Sequence, residues 1–171
     1  MKYILHFLYF IIRMAGFLPI IGEPIRVIII DRDIRKLEGC NEFGIARELR
    51  KKALSEISLK HQGPLLRSEG EDRLHRMHDY HGALEAFEKA FSVLDMSPSS
   101  YGVSSPDHIY AGAAQAAFLI GDKERANAYH HRFAEIVSVF SADPKLRNSL
   151  TWHQETLKWL NTHIDSIEKV K

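Results

Sequence analysis

The sequence predicts an all-α protein, and three observations lead to this prediction. From about residue 41 onward, apolar side chains recur at steps of three and four, which is the spacing of one helix face. The same region shows no clean alternation of apolar and polar residues, the pattern of a half-buried strand. Glycine, proline and short polar clusters divide it into segments of helix length. A chain of 171 residues is long enough for one such domain with one core.

Composition and charge exclude several functional classes. Lys and Arg number 23 against 22 Asp and Glu, and a net charge of +1 argues against a nucleic-acid-binding protein. The single cysteine, Cys40, excludes an intrachain disulfide and a Cys-rich zinc module. The sequence contains no HExxH, no phosphate-binding glycine loop and no Gly-x-Ser-x-Gly motif. We therefore expect a protein that is not an enzyme and carries no cofactor.

The first element, residues 1–24, is an apolar segment. Its run 3–21, interrupted by Arg13, approaches the length of about 20 apolar residues that span a bilayer core. We expect a membrane-anchoring helix here, with a signal-like segment or a segment packed on the domain as the alternatives. The basic residues that follow would place the C-terminal domain of an anchored protein in the cytoplasm. Without an anchor, we expect a soluble cytoplasmic protein.

The elements after this segment are helices by their apolar spacing. Residues 25–40 are either a connecting segment or the first helix of a repeat. Turn signals such as Gly63-Pro64 and Gly121 separate the later segments. Residues 95–106 are rich in serine and proline and are predicted to form a loop. The predicted helices cover 41–59, 65–77, 80–94 and 106–120, a further segment from Asp122, and 144–168.

An internal repeat links three of these segments. In each copy an alanine is followed, four residues later and then three residues later, by positions that align between copies. The spacing is that of one helix face, so each copy places its three positions on the same side of a helix. The copies are Ala46–Arg50–Ala53, Ala83–Phe87–Ala90 and Ala126–His130–Phe133.

This repeat resembles the tetratricopeptide (TPR) family. The segment 79–91 is similar to the second-helix pattern of that family. Tyr110 and Ala114 match the large and small positions of its first helix. The resemblance implies antiparallel helix pairs, stacked as a short TPR-like α-solenoid over residues 41–143. Residues 144–171 would then form the C-terminal capping helix that such arrays require.

The resemblance also implies a function. In TPR-like arrays the first helices of the pairs line a concave groove, which suits an extended peptide or a partner helix. We therefore expect a non-catalytic adaptor that binds another protein, with packing of the array on a second copy as an alternative. The groove residues implied by the resemblance are Ser68, Asp72, His75, Arg76, His108, Ala111, Gln115 and Leu119.

Two further patterns offer alternative functions. Glu71, His75 and His78 share one face of a predicted helix, which is a spacing compatible with a metal site or a small-ligand site. A basic run lies near the start of the repeats and is either a solvated helix face or a surface for anionic lipid headgroups. This run consists of Arg47, Arg50, Lys51 and Lys52.

Overall fold

The computed structural model describes residues 22–96, 106–142 and 150–164. Over these residues the protein is helical, without strands, which confirms the all-α prediction. The α-helices of this part of the chain are α1 (Glu23–Gly39), α2 (Phe43–Glu56), α3 (Gly63–Asp72), α4 (Tyr80–Met96), α5 (Pro106–Leu119), α6 (Lys123–Ala142) and α7 (Thr151–Ile164).

The prediction of a transmembrane helix is corrected by this structure. None of the helices within the described ranges is long and apolar enough to cross a membrane. These helices instead carry polar faces, as α1 does with Arg32 and Lys36 exposed to solvent. The apolar run 3–21, on which the prediction was based, lies outside the described residues.

Two of the predicted helices, 41–59 and 65–77, have different bounds in the structure. The helix predicted over 41–59 is shorter, and a 3-10 turn at Leu59–His61 follows it. Pro64 lies in the first turn of α3, where the missing N–H of proline has no intrahelical acceptor in any case. At its other end α3 passes directly into a π-helical turn, Arg73–Met77, which stops at His78.

Three turns between consecutive helices share a left-handed residue. Asn41, His78 and Gly121 have φ angles of 62°, 55° and 83°. Each lies five residues before the alanine that anchors the next helix in the sequence repeat. Glycine and, less readily, asparagine and histidine adopt this conformation. The repeat seen in the sequence therefore has a counterpart in the backbone.

The aligned positions of the repeat also agree in burial. In each copy the alanine and the two positions that follow it face the interior of the protein. The side chains at the middle position differ in chemistry: one copy has an arginine, the second a phenylalanine and the third a histidine. The nine buried positions are Ala46, Arg50, Ala53, Ala83, Phe87, Ala90, Ala126, His130 and Phe133.

The buried apolar side chains form two clusters. The larger extends from α3 to α7, and the ring of Phe87 packs directly against Gly70 and Gly112. The smaller is built mainly from α1 and α2 and includes Val27 and Ile34. Consecutive helices contact each other along the chain, and further contacts join α1 to α3, α3 to α5, and α5 to α7. Helices α1, α3, α5 and α7 thus lie side by side in that order.

Candidate functional site

A cleft of about 350 Å³ lies across the four helices α1, α3, α5 and α7. Ligand pockets in proteins usually measure about 300–1,000 Å³, so this one is at the small end of that range. It is lined by Arg35, Glu38, Glu71, His75, Arg76, His108, Ala111, Gly112, Gln115, Trp152 and Thr156.

The structure brings together five of the eight groove residues predicted from the sequence. His75 and Arg76 lie on the π-helical extension of α3, and the other three lie on α5. Those three are His108, Ala111 and Gln115.

The remaining three predicted groove residues lie elsewhere. Ser68 and Asp72 are buried beneath the cleft, where their polar atoms bind neighbouring side chains. Leu119 is 42% exposed on α5 but does not line the cleft. Asp72 and Ser68 therefore support the wall of the cleft from behind, and Leu119 lies beyond its edge.

Arg50 is the centre of the buried contacts behind the cleft. Its side chain is completely buried on α2. The guanidinium donates hydrogen bonds to Glu38 at 2.6 Å and to Ser68 at 3.1 Å. It also lies 3.4 Å from carboxylate oxygens of Glu69 and Asp72. A buried charge is tolerated only when it is paired and hydrogen bonded; three carboxylates and Ser68 surround the terminal nitrogens, while the Nε of Arg50 has no hydrogen-bond partner among the described residues.

The carboxylate of Asp72 contacts several arginine side chains. Arg47 donates to its carboxylate at 2.7 Å and Arg76 at 3.2 Å. Burial alone would raise the pKa of Asp72, but hydrogen bonds from Arg47 and Arg76 and the charge of Arg50 outweigh it, so the pKa is lowered. Arg76 also lies 3.2 Å from Glu38 and stacks over the ring of Phe43 at 4.6 Å. The cleft wall is therefore fixed by the same charges that hold α2 against α3.

These contacts bury one of the four residues of the predicted basic surface, Arg50. Arg50 has no exposed surface, and Arg47 is engaged by Asp72. Lys51 and Lys52 are exposed, and Lys52 lies 3.8 Å from Glu56. Only Arg50 of the four basic residues is buried, since the side chain of Arg47 is 39% exposed although it bonds Asp72.

A second group of paired charges lies at the α1 side of the cleft. Arg35 donates to Asp31 at 2.9 Å, and Arg67 lies 3.8 Å from Asp31 and 3.7 Å from Glu71. Burial raises the pKa of Asp31, and the hydrogen bond and charge of Arg35 oppose this only in part. One carboxylate oxygen of Asp31 is buried without a hydrogen-bond partner. Asp31 thus lies in a less favourable environment than Asp72.

Aromatic rings close the α7 side of the cleft. The rings of His108 and Trp152 stack with centroids 4.1 Å apart and an angle of 8°. Trp152 remains 40% exposed beside the opening. Beneath them, His153 on α7 donates a hydrogen bond to Asp107 on α5 at 2.7 Å. These contacts attach the last described helix to the cleft.

The alternative metal face is not formed. No three His, Cys, Asp or Glu side chains in the described segments stand where they could hold a metal ion together. The prediction placed Glu71, His75 and His78 on one face of a regular helix. The backbone instead changes to a π-helical turn at Arg73, and His78 leaves the helix with a φ of 55°. The metal-site alternative is therefore corrected.

Sequence reasoning missed the lining residues contributed by α1 and α7. Arg35 and Glu38 were overlooked because the segment 25–40 was assigned either as a connection or as a helix, without a face. Trp152 and Thr156 were overlooked because a capping helix was expected only to cover the core. The contacts between helices explain why both contribute. Helix α1 packs against α3 and helix α7 packs against α5, so α1 and α7 form the two ends of the cleft.

Comparisons with known proteins add no relative. The chain matches no protein-family model, no curated protein and no solved structure. The function of the cleft is therefore inferred from its own residues.

Proposed function

We propose that this protein is a non-catalytic protein-interaction module that holds an extended peptide segment of another protein in the cleft across α1, α3, α5 and α7. The observation that carries the proposal is the convergence of His75, Arg76, His108, Ala111 and Gln115 on one cleft. The resemblance to the TPR family implies these five residues for its groove. The cleft thus lies where a repeat array of this kind would bind a partner.

We further propose that the helices form a short TPR-like α-solenoid of three pairs, α1–α2, α3–α4 and α5–α6, with α7 as the cap. Three features support this arrangement. Left-handed residues recur at equivalent turns, and the aligned repeat positions are all buried. The contacts between α1 and α3, α3 and α5, and α5 and α7 are those expected when the first helices of successive pairs are neighbours.

The size and chemistry of the cleft favour an extended peptide over a whole helix. A helix with its side chains is about 10–12 Å across, and a cleft of about 350 Å³ holds only a few side chains. Its lining combines an exposed indole at Trp152 with polar groups such as Gln115. A mixed lining of this kind fits alternate side chains of an extended segment.

The proposal is tested with a library of displayed random peptides and two matched variants. Gln115→Trp would fill the cleft, and it breaks no side-chain hydrogen bond, because the carboxamide of Gln115 forms none with the other described residues. Leu119→Trp places the same ring one turn further along α5, at an exposed position outside the cleft. We expect peptides selected on the wild-type full chain to bind L119W equally and Q115W at least about tenfold more weakly. Peptides that bind all three proteins alike would contradict the proposal.

A further inference from the structure

The cleft is lined by equal numbers of arginine and glutamate side chains. Each of them lies close to a side chain of opposite charge. Two are arginines, Arg35 and Arg76, and two are glutamates, Glu38 and Glu71. Arg76 and Glu38 lie 3.2 Å from each other across the wall between α1 and α3. Arg35 is bonded to Asp31, and Glu71 lies 3.7 Å from the guanidinium of Arg67 and 3.6 Å from a ring nitrogen of His108.

The side chains directly behind the lining repeat the same balance. Each of them forms an ion pair with one of the four lining charges, and two are acidic while two are basic. They are Asp31, Asp72, Arg50 and Arg67. Neither the lining nor the layer that supports it therefore presents a net charge to a partner.

The groups that remain available in the cleft are neutral. The carboxamide of Gln115 forms no hydrogen bond with the other described residues. Desolvation lowers the pKa of His75, although Glu71 opposes the shift, so its imidazole is uncharged at neutral pH. The indole of Trp152 contributes an apolar surface beside them.

We propose that the peptide segment entering this cleft carries uncharged side chains, with amide or aromatic groups opposite Gln115 and Trp152. The inference rests on the proposed function and names the class of partner that the same cleft selects. A charged side chain entering the cleft would lose hydration, and each charge it met would already be engaged. An uncharged polar or aromatic group meets unoccupied hydrogen-bonding atoms without disturbing the pairs Arg76–Glu38 and Arg35–Asp31.

The test uses the peptides that bind the wild-type full chain and L119W but not Q115W. Each residue of one such peptide is replaced in turn by Glu, by Lys and by the uncharged control Gln. At the residue that enters the cleft, we expect Glu and Lys each to weaken binding by at least about tenfold, and Gln to weaken it less. Raising the NaCl concentration from 50 to 500 mM should change the affinity by less than about twofold.

Two outcomes would overturn this inference, and they can be told apart. Selected peptides that share an acidic or basic residue, and whose affinity falls steeply with salt, would show that the cleft binds a charged partner. The proposed function would then stand while the partner class would be wrong. Failure to select any peptide that distinguishes Q115W from L119W would instead remove the proposed function, and the partner class with it.

Discussion

Arg50 on α2 and Phe87 on α4 occupy the same place in two consecutive copies of the repeat, four residues after a buried alanine. Both side chains are completely buried. Phe87 packs its ring between the glycines of α3 and α5, whereas Arg50 is surrounded by carboxylates of α1 and α3. The repeat therefore specifies that this position is buried but not how it is stabilised. In the third copy His130 takes the place and bonds Asn161 at 2.7 Å.

The comparison also separates two ways of joining helix pairs. Between α4 and α5 the contact is apolar, and small side chains such as Gly112 allow a close approach. The contact between the α1–α2 pair and α3 includes ion pairs that converge on Arg50 and Asp72. Trimming a group in an apolar contact leaves a cavity, because the neighbours relax only in part. Removing one member of a buried ion network instead leaves its partners desolvated with fewer opposite charges.

The largest effect expected from this comparison is that of Arg50→Met. The substitution keeps much of the side-chain volume but leaves Glu38, Glu69 and Asp72 without their common cation. We expect the free energy of unfolding to fall by about 3–5 kcal/mol. Urea unfolding followed by circular dichroism measures the change. A loss below about 1 kcal/mol would mean that α2 is held by its apolar contacts alone.

Substitutions at two aspartates should differ in size and in pH dependence. Asp72→Asn removes a carboxylate that accepts hydrogen bonds from Arg47 and Arg76, so we expect a loss of about 1.5–3 kcal/mol at pH 7. Asp31→Asn removes a carboxylate whose burial is poorly compensated, so we expect a change of less than about 1 kcal/mol.

The pH dependence of the two variants follows from the directions of the pKa shifts. The pKa of Asp72 is lowered on folding, so its contribution is present above the ordinary pKa of about 4 and is lost as the pH falls through the folded value. The pKa of Asp31 is raised, so its contribution is present below the ordinary value and is lost as the pH rises through the folded one. Unfolding curves between pH 3 and 7 would therefore converge with wild type at low pH for D72N. Parallel curves would contradict this assignment.

Gly112→Ala tests the apolar side of the comparison. The added Cβ would overlap the ring of Phe87, so the ring must shift within a packed core. We expect a loss of about 1–3 kcal/mol, partly restored when Phe87→Leu is added. Gly44→Ala is the control, because a Cβ on this helical glycine meets nothing within 4 Å and should stabilise α2 by about 0.5–1 kcal/mol. Equal effects of the two substitutions would show that Phe87 is not tightly packed.

His130→Leu should have a much smaller effect than R50M, although the two positions align in the repeat. It removes one hydrogen bond, and the exposed Asn161 can bind water instead. We expect a loss of about 0.5–1.5 kcal/mol, measured by the same unfolding assay. A loss as large as that of R50M would show that His130 is also the centre of a network.

The spacing of apolar residues was sufficient to predict the helices. The residues of the α5 wall, His108, Ala111 and Gln115, were implied only by the resemblance to the TPR family, and their steps of three and four place them along one helix face. The network at Arg50 was not predicted, because a basic run on a helix ordinarily faces solvent. The signal lay in the repeat itself, which places Arg50 four residues after Ala46, at a position aligned with Phe87. The contribution of α1 depends on tertiary contacts that local spacing does not encode.

The most direct measurement of the central claim is the change in backbone amide chemical shifts when a selected peptide is added to the full chain. Binding in the cleft should concentrate the shifts at its lining residues, such as Glu38, His75, Gln115 and Thr156. A separate groove of about 640 Å³, lined by α5 and α6 residues that include Val139, provides the comparison. Shifts centred on that groove, with the cleft residues unchanged, would contradict the account.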